Sequence, residues 1–308
     1  MEKVVSTLNL SREEWLQYRK AGIGGSDAGA ICGLNPYRTA MQVYQDKISD
    51  ACEDIDNEAM RQGREFEDYV ARRFMEATGK KVRRANAMFR SKNHPFMLAD
   101  VDRMIVGENA GLECKTASPY MEDKWKDGKI PMSYQVQCHH YMAVCGADAW
   151  YIAVLIYGRE FKYYKIERDE ALIADLVRIE QDFWENHVQK GIMPAPDGSK
   201  TADSVIAEYY KNSVPESVRL SGFDEKLQRR QELLDVITRM ENEKNRIEQE
   251  IKMYMGTAEI AENEHYRISW KSVSSGRIDE KRLKEELPQI YEKYKKMKVS
   301  RRFSIKAA

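Results

Sequence analysis

Three residues near the middle of the chain have the types and spacing to do chemistry. Asp102 is followed, after ten intervening residues, by Glu113, and Lys115 stands two positions further on. Two carboxylates offer the hard oxygen ligands that Mg²⁺ prefers, and Mg²⁺ held this way keeps several of its own waters. A lysine beside such an ion can orient or help deprotonate an attacking water, or stabilise charge on a phosphate. Metal and lysine together can cleave phosphodiesters. In a chain with 32% charged residues the bare spacing means little. Its weight comes from context: Met104, Ile105, Leu112 and Cys114 mark these segments as core-forming, and charged groups among such neighbours need partners or a metal.

These residues must be positioned by regular elements. Phe96 to Val106 and Leu112 to Thr116 read as short strands joined by a glycine-flanked turn, Gly107 to Gly111. Side chains alternate along a strand, so Asp100 and Asp102 share one face, and Glu113 and Lys115 share one face of the next strand. Upstream, residues 58 to 78 read as a helix with Phe66, Val70, Phe74 and Ala77 at helical spacing and Gly79 past its end. Glu67 lies at the edge of that apolar stripe, whereas Glu65 points elsewhere. Glu67 could add a metal ligand, directly or through water. Downstream, a helix from Met132 to Val144 carries Gln135, whose amide could orient a water or a phosphate oxygen.

The remaining pattern frames this centre. Ser11 with Glu14 forms a capping box ahead of a first helix, and Gly22 to Asp27 leads into a short second one. Strands at Ala149 to Tyr157 and Glu160 to Glu167 flank a tight turn, followed by a helix from Glu170 to Lys190. The Pro- and Gly-rich run Met193 to Gly198 marks a boundary, dividing a core (1–198) from a C-terminal region (199–308). In that region Leu233, Ile237, Met240, Ile247, Ile251 and Tyr254 alternate at three- and four-residue spacing within a long helix, Phe223 to Met255, with Lys244 at the one missing position. The stripe needs a cover, from its own domain, from an antiparallel neighbour, or from an intermolecular coiled coil. A small strand pair (258–261, 265–270) and a last helix, Asp279 to Lys296, follow. The fold class is α/β: a mixed sheet flanked by helices, with a largely helical C-terminal region.

Composition narrows the function classes. Fifty Lys and Arg balance fifty Asp and Glu, so any binding to nucleic acid is local; the stretch from Lys271 to Ala308 holds twelve basic residues against five acidic ones. Five scattered cysteines without a C-x-x-C pair argue against a disulfide framework, a zinc ribbon or an iron–sulfur binding run, and read as buried thiols. No apolar run approaches the roughly 18 residues of a membrane span, and the N-terminus lacks an apolar signal segment, so the chain reads as cytosolic. His139 and His140 are adjacent and diverge by about 100° on a helix, which excludes a paired metal role. Gly22 to Gly25 lacks the G-K-[ST] ending of a phosphate loop. Trp125, Tyr134, Tyr141, Trp150 and Tyr151 read as core.

The ordered set G-I-G-G-S-D (22–27), N-P-Y (35–37), G-x-x-x-E (63–67), D-x(10)-E-x-K (102–115) and Y-Q-V-Q (134–137) resembles the YqaJ-like viral recombinase family, related to the phage lambda exonuclease within the PD-(D/E)xK nuclease superfamily. The resemblance covers about residues 11 to 190. It implies a restriction-endonuclease-like core and a Mg²⁺-dependent exonuclease of double-stranded DNA, with Mn²⁺ as a substitute ion. Asp102 and Glu113 would hold the metal with the Cys114 carbonyl; Lys115 would be the catalytic lysine, Glu67 the helix-borne acid and Gln135 the family's glutamine. Ser26 would lie near the 5′ end of the DNA, and Arg38 would bind the 5′-phosphate. Val101 stands where the superfamily has a proline. The resemblance further implies 5′-to-3′ digestion of one strand at double-stranded DNA ends, release of single-stranded DNA to a phage annealing protein, and a homo-oligomer such as a ring trimer. The rival readings are an endonuclease or a CRISPR-associated nuclease on the same core, and a non-catalytic DNA-end-binding module.

Overall fold

The structure, a computed structural model, describes residues 1–49, 57–297 and 300–306; Cys52, and Lys298 of the basic tail, fall outside them. The chain divides into two units, Met1–Tyr210 and Lys211–Ala308. The first contains β1 (Glu2–Ser6), α1 (Arg12–Lys20), β2 (Ile23–Gly24), α2 (Gly25–Ile31), α3 (Ala40–Ile48) and α4 (Glu58–Thr78). Then come β3 (Val82–Arg84), β4 (Ala87–Arg90), β5 (Met97–Asp100), β6 (Arg103–Ile105), β7 (Ala110–Ala117), α5 (Met132–Cys145), β8 (Ala149–Ile156), β9 (Phe161–Glu167), α6 (Glu170–Phe183) and α7 (Lys200–Tyr209).

Local chemistry sets the boundaries. Ser11 accepts from the Glu14 amide while Glu14 reaches back to the Ser11 amide, so the expected capping box starts α1. Gly79 ends α4 at φ 71°, a left-handed conformation that costs glycine little. Past Phe183 the helix expected to reach Lys190 widens: the Gln189 amide bonds to the Trp184 carbonyl five residues back, and Gly191 closes the segment at φ 66°.

Two sheets position the site. The five-stranded sheet has the order β3-β6-β7-β8-β9, antiparallel except for the parallel pair β7–β8, and the four-stranded sheet has the order β1-β4-β5-β2. Helices cover both faces of β7 and β8. On one face Val70, Ala71 and Phe74 of α4 pack with Leu112, Tyr151 and Ala153; on the other, Cys138, Tyr141 and Met142 of α5 pack with Trp150, Ile152 and Val154. Each fully buried large side chain contributes about 1.5–3 kcal/mol by leaving water. On α4, Ala71 belongs to the buried stripe, while Ala77 at its far end is exposed.

Three expectations need correction. The strand read from Phe96 to Val106 is two strands in two sheets, β5 and β6, broken at Val101 and Asp102. The β6–β7 register would bring Val101 opposite Cys114, but the Asp102 carboxylate takes the Cys114 amide at 2.7 Å, so a side chain replaces a ladder bond. The helix α7 belongs with the core: Ala202 and Val205 bury themselves against Met41 of α3, and the unit ends at Tyr210 rather than 198. In the second unit α8 (Asp224–Met255) and the hairpin β10 (Ile260–Glu262) and β11 (Arg267–Ser269) match the sequence reading, but the last helix is two, α9 (Glu280–Glu286) and α10 (Pro288–Tyr294). Pro288 lacks the amide needed to continue a helix, and the residue before it is pushed out of the helical region. Among the described residues no helix is long and apolar enough to cross a membrane.

The glycines of Gly22 to Gly25 serve packing. A Cβ on Gly25 would lie 2.5 Å from the Tyr141 ring of α5, and one on Gly22 would lie 2.6 Å from the Phe96 carbonyl. Because Tyr141 is buried and wedged against Trp150, it has little room to retreat. Gly25→Ala is expected to lower stability by about 1–3 kcal/mol, the usual cost of overpacking, as measured by urea denaturation. Unchanged stability would show that α2 and α5 are not tightly apposed.

Candidate active site

The hairpin β6–β7 and the helices beside it bring Asp102, Glu113 and Lys115 together. Leu112 and Cys114 point toward α4, which leaves Glu113 and Lys115 on the face toward α5, as the alternation predicts. There Glu113 is 3% exposed, and its Oε1 accepts from both Lys115 Nζ and Gln137 Nε2, the latter at 2.7 Å. Its other oxygen, Oε2, is buried with no protein partner. Lys115 Nζ also sits 5.0 Å from the centre of the Tyr134 ring, a cation–π distance.

These charges strain one another. Loss of solvent raises the Asp102 pKa well above the ordinary value, and the neighbouring Glu113 and Glu67 charges push it further, against the opposing Lys115 and the Cys114 amide. Glu113 is likewise raised, chiefly by burial. Burial pulls Lys115 the other way, but Glu113, Tyr134 and Asp102 outweigh it and hold the ammonium above the usual lysine value. Beside Glu113 and Asp102 the charged form of the lysine is thus the favoured one.

Glu67 faces the same region from α4 and borders a pocket with Asp100, Asp102 and Arg103. It is paired to Arg103, which is 4% exposed and also binds the Asp102 carbonyl and Asp68. This guanidinium draws Glu67 aside, and among the described residues no three His, Cys, Asp or Glu side chains converge as a ready metal cage. The donor set still fits Mg²⁺, which needs only one or two carboxylates and completes its shell with water and phosphate oxygens. The unpartnered Glu113 Oε2 is a free ligand atom of the right kind.

The structure distributes the other expected residues differently. Gln135 donates to the Ile130 carbonyl at 2.8 Å, and it is Gln137, two residues on, that reaches Glu113 and the Tyr141 hydroxyl. The Y-Q-V-Q run contains both amides, and only the phase of α5 relative to β7 separates them. Arg38 has both terminal nitrogens on carboxylates, Asp27 at 2.6 Å and Asp46. The cation at Ser26 is Arg19, whose Nη2 donates to the Ser26 hydroxyl at 2.9 Å and to Asp27 at 3.1 Å. Fully buried Asp27 thus anchors Arg19, Arg38 and Lys47. Trp15 ties this corner to the acidic one: its ring lies under the Arg12 and Arg19 guanidiniums, and its Nε1 donates to Asp100. His140 is buried between Glu180 and the Leu98 carbonyl, a structural pair.

A sequence profile of the YqaJ-like viral recombinase domain matches residues 14–148. The protein named YqaJ of Bacillus subtilis (strain 168) is 41% identical over 314 residues, spanning 99% of this chain and 97% of its own. The chain belongs to the YqaJ-like viral recombinase family. Its fold is also that of LHK-Exo, an alkaline exonuclease from Laribacter hongkongensis, solved alone and in complex with dAMP. Those structures are 21% and 22% identical, with a TM-score of 0.51 over 58% of this chain and 94% of theirs. The core therefore has the mixed α/β fold that the sequence reading expects, a mixed sheet flanked by helices.

The raised Asp102 pKa has a sign that can be checked. A carboxyl whose pKa is higher folded than unfolded favours the fold while protonated; that contribution is lost as pH rises from the unfolded value near 3.9 through the folded one. At pH 7 without divalent ions Asp102→Asn is therefore expected to stabilise the protein, read as a higher urea midpoint. Mg²⁺ should raise the melting temperature of the wild type more than that of the variant. A destabilised variant in chelator would show that the ionised Asp102 is not under electrostatic stress.

Proposed function

We propose that the protein is a Mg²⁺-dependent exonuclease that digests one strand of double-stranded DNA from 5′ to 3′, leaving single-stranded DNA for a phage-type annealing protein. The observation that carries this reading is the convergence of Asp102, Glu113 and Lys115 at one end of the β6–β7 hairpin, with an unpartnered carboxylate oxygen among them. Membership in a viral recombinase family supports it, as does a core shared with an alkaline exonuclease.

Asp102, Glu113 and the Cys114 carbonyl would hold Mg²⁺, or Mn²⁺ in its place, with Glu67 contributing from α4. Bound there, the ion would supply Lewis-acid polarisation of a phosphate oxygen and acidification of water. Lys115 keeps its positive charge beside Glu113 and stabilises the negative charge that grows on the phosphate during attack. Gln137 holds the Glu113 carboxylate in orientation through Oε1, leaving Oε2 for the metal. Gln135 would reach water or phosphate only after releasing the Ile130 carbonyl. In-line attack of water breaks the bond to the 3′-oxygen, which takes up a proton, and releases a 5′-mononucleotide. Ser26 and Arg19 offer a hydroxyl and a cation to the 5′-phosphate of the end being digested, and Arg38 supports them by anchoring Asp27. A homo-oligomer, such as a ring trimer around the DNA, fits an enzyme that stays on its substrate.

Incubation of end-labelled linear duplex, nicked circles and closed circles, with and without Mg²⁺, tests the proposal. Mononucleotides released from linear DNA only in Mg²⁺ are expected. Cutting of closed circles would indicate an endonuclease, and binding without turnover a DNA-end-binding module. Asp102→Ala and Lys115→Ala should each lower turnover at least about 100-fold with the fold intact; wild-type rates in either would remove these residues from the mechanism.

A second pair separates the arginines. Arg19→Gln should abolish the preference for 5′-phosphorylated over 5′-hydroxyl ends. Arg38→Gln should instead lower stability by about 3 kcal/mol or more, because it breaks a buried ionic network. The opposite assignment would follow if Arg38→Gln alone lost the end preference.

A further inference from the structure

The second unit carries a helix with an uncovered seam. The 32 residues of α8 span about 48 Å, and their apolar positions follow a heptad. Yet Leu233, Ile237 and Ile247 are about half exposed (45%, 50% and 50%), and Met240 and Tyr254 more so. Such a stripe left in water forgoes the burial that normally stabilises a helix of this length.

The charges flanking the seam point to what covers it. At the positions beside the seam the charges are Arg229 in the first half and Glu241, Glu243, Glu248 and Glu250 in the second, while Arg230 and Lys244 lie in the seam itself. A parallel copy would set Arg230 against Arg230 and Lys244 against Lys244 in the seam, with Glu243 across from Glu248. An antiparallel copy reverses this. Ile237 then packs on Met240 of the second copy, Lys244 on Leu233 and Arg230 on Ile247, while Arg229 meets Glu250 at both ends. Opposite charges at the two ends of one face are what a twofold contact requires, since each end must match the other. The present contact of Arg229, an exposed pair with Glu232 one turn along at 2.9 Å, is worth only a few tenths of a kcal/mol and can be exchanged.

We propose that α8 is a self-association surface, pairing antiparallel with α8 of a second copy of this chain. The pairing links two protomers through their C-terminal units and is independent of the nuclease chemistry, so loss of either leaves the other standing.

Light scattering on the full-length protein, with mass read against concentration, tests this. Ile237→Asp and Ile247→Asp should each halve the mass of the wild-type assembly. Arg229→Glu and Glu250→Arg should each weaken association about tenfold or more, while the double variant Arg229→Glu/Glu250→Arg should restore it, with helix content unchanged by circular dichroism throughout. Equal masses for wild type and the Asp variants would overturn the proposal. So would a double variant no better than its parents, since parallel pairing or a different partner places Arg229 and Glu250 apart.

Discussion

Asp102 and Glu113 are two carboxylates held near each other and largely out of water, and the structure of the core can be understood as the means of keeping them there. Like charges in a poorly solvated site repel, and neither would remain ionised without compensation. The fold supplies that compensation from four directions: the Cys114 amide to Asp102, the Lys115 ammonium and the Gln137 amide to Glu113, and the Arg103 guanidinium to Glu67. None of these neutralises Glu113 Oε2. The result is a buried carboxylate oxygen left without a partner beside a second acid, the feature on which the proposed cation site rests.

The break between β5 and β6 follows from the same constraint. A continuous strand would have paired Val101 with Cys114 and left the Asp102 carboxylate elsewhere; giving up that ladder bond turns the carboxylate onto the β7 amide. Parallel pairing of β7 with β8, covered by α4 and α5, then fixes Glu113 and Lys115 toward α5 and sets Glu67 across from them. A second ionic cluster around Asp27 holds Arg19 next to Ser26, and Trp15 joins the two corners through Asp100. The site is thus two charge centres, one acidic and one basic, each stabilised by a buried partner of the opposite sign.

Most of this was legible in the sequence where local rules govern. Capping at Ser11, the stop at Gly79, the heptad of α8 and the alternation of Glu113 and Lys115 depend on neighbours a few residues apart, and the order of motifs pointed to the family. What escaped reading depends on distant geometry. Whether Gln135 or Gln137 faces β7 is a matter of how α5 is rotated, which two amides in one turn do not reveal. Nothing local shows that Asp27 and Asp46 both hold Arg38, or that Arg19 is the cation beside Ser26. Arg103, beside Asp102, gave no signal as the partner of a helix residue 36 positions upstream. The strand break at Val101 was hidden because an apolar run looks the same whether it serves one sheet or two. The split at Pro288, by contrast, follows a local rule, since proline cannot continue a helix.

On the proposed function, Asp102, Glu113 and the Cys114 carbonyl hold a divalent cation between them. The most direct measurement is the anomalous scattering of Mn²⁺ in crystals of the protein soaked with the ion. A peak within coordination distance of Asp102, Glu113 and the Cys114 carbonyl, about 2.0–2.3 Å away, is the expected result. Ordered density with no peak between these groups, in crystals where Mn²⁺ binds elsewhere, would contradict it.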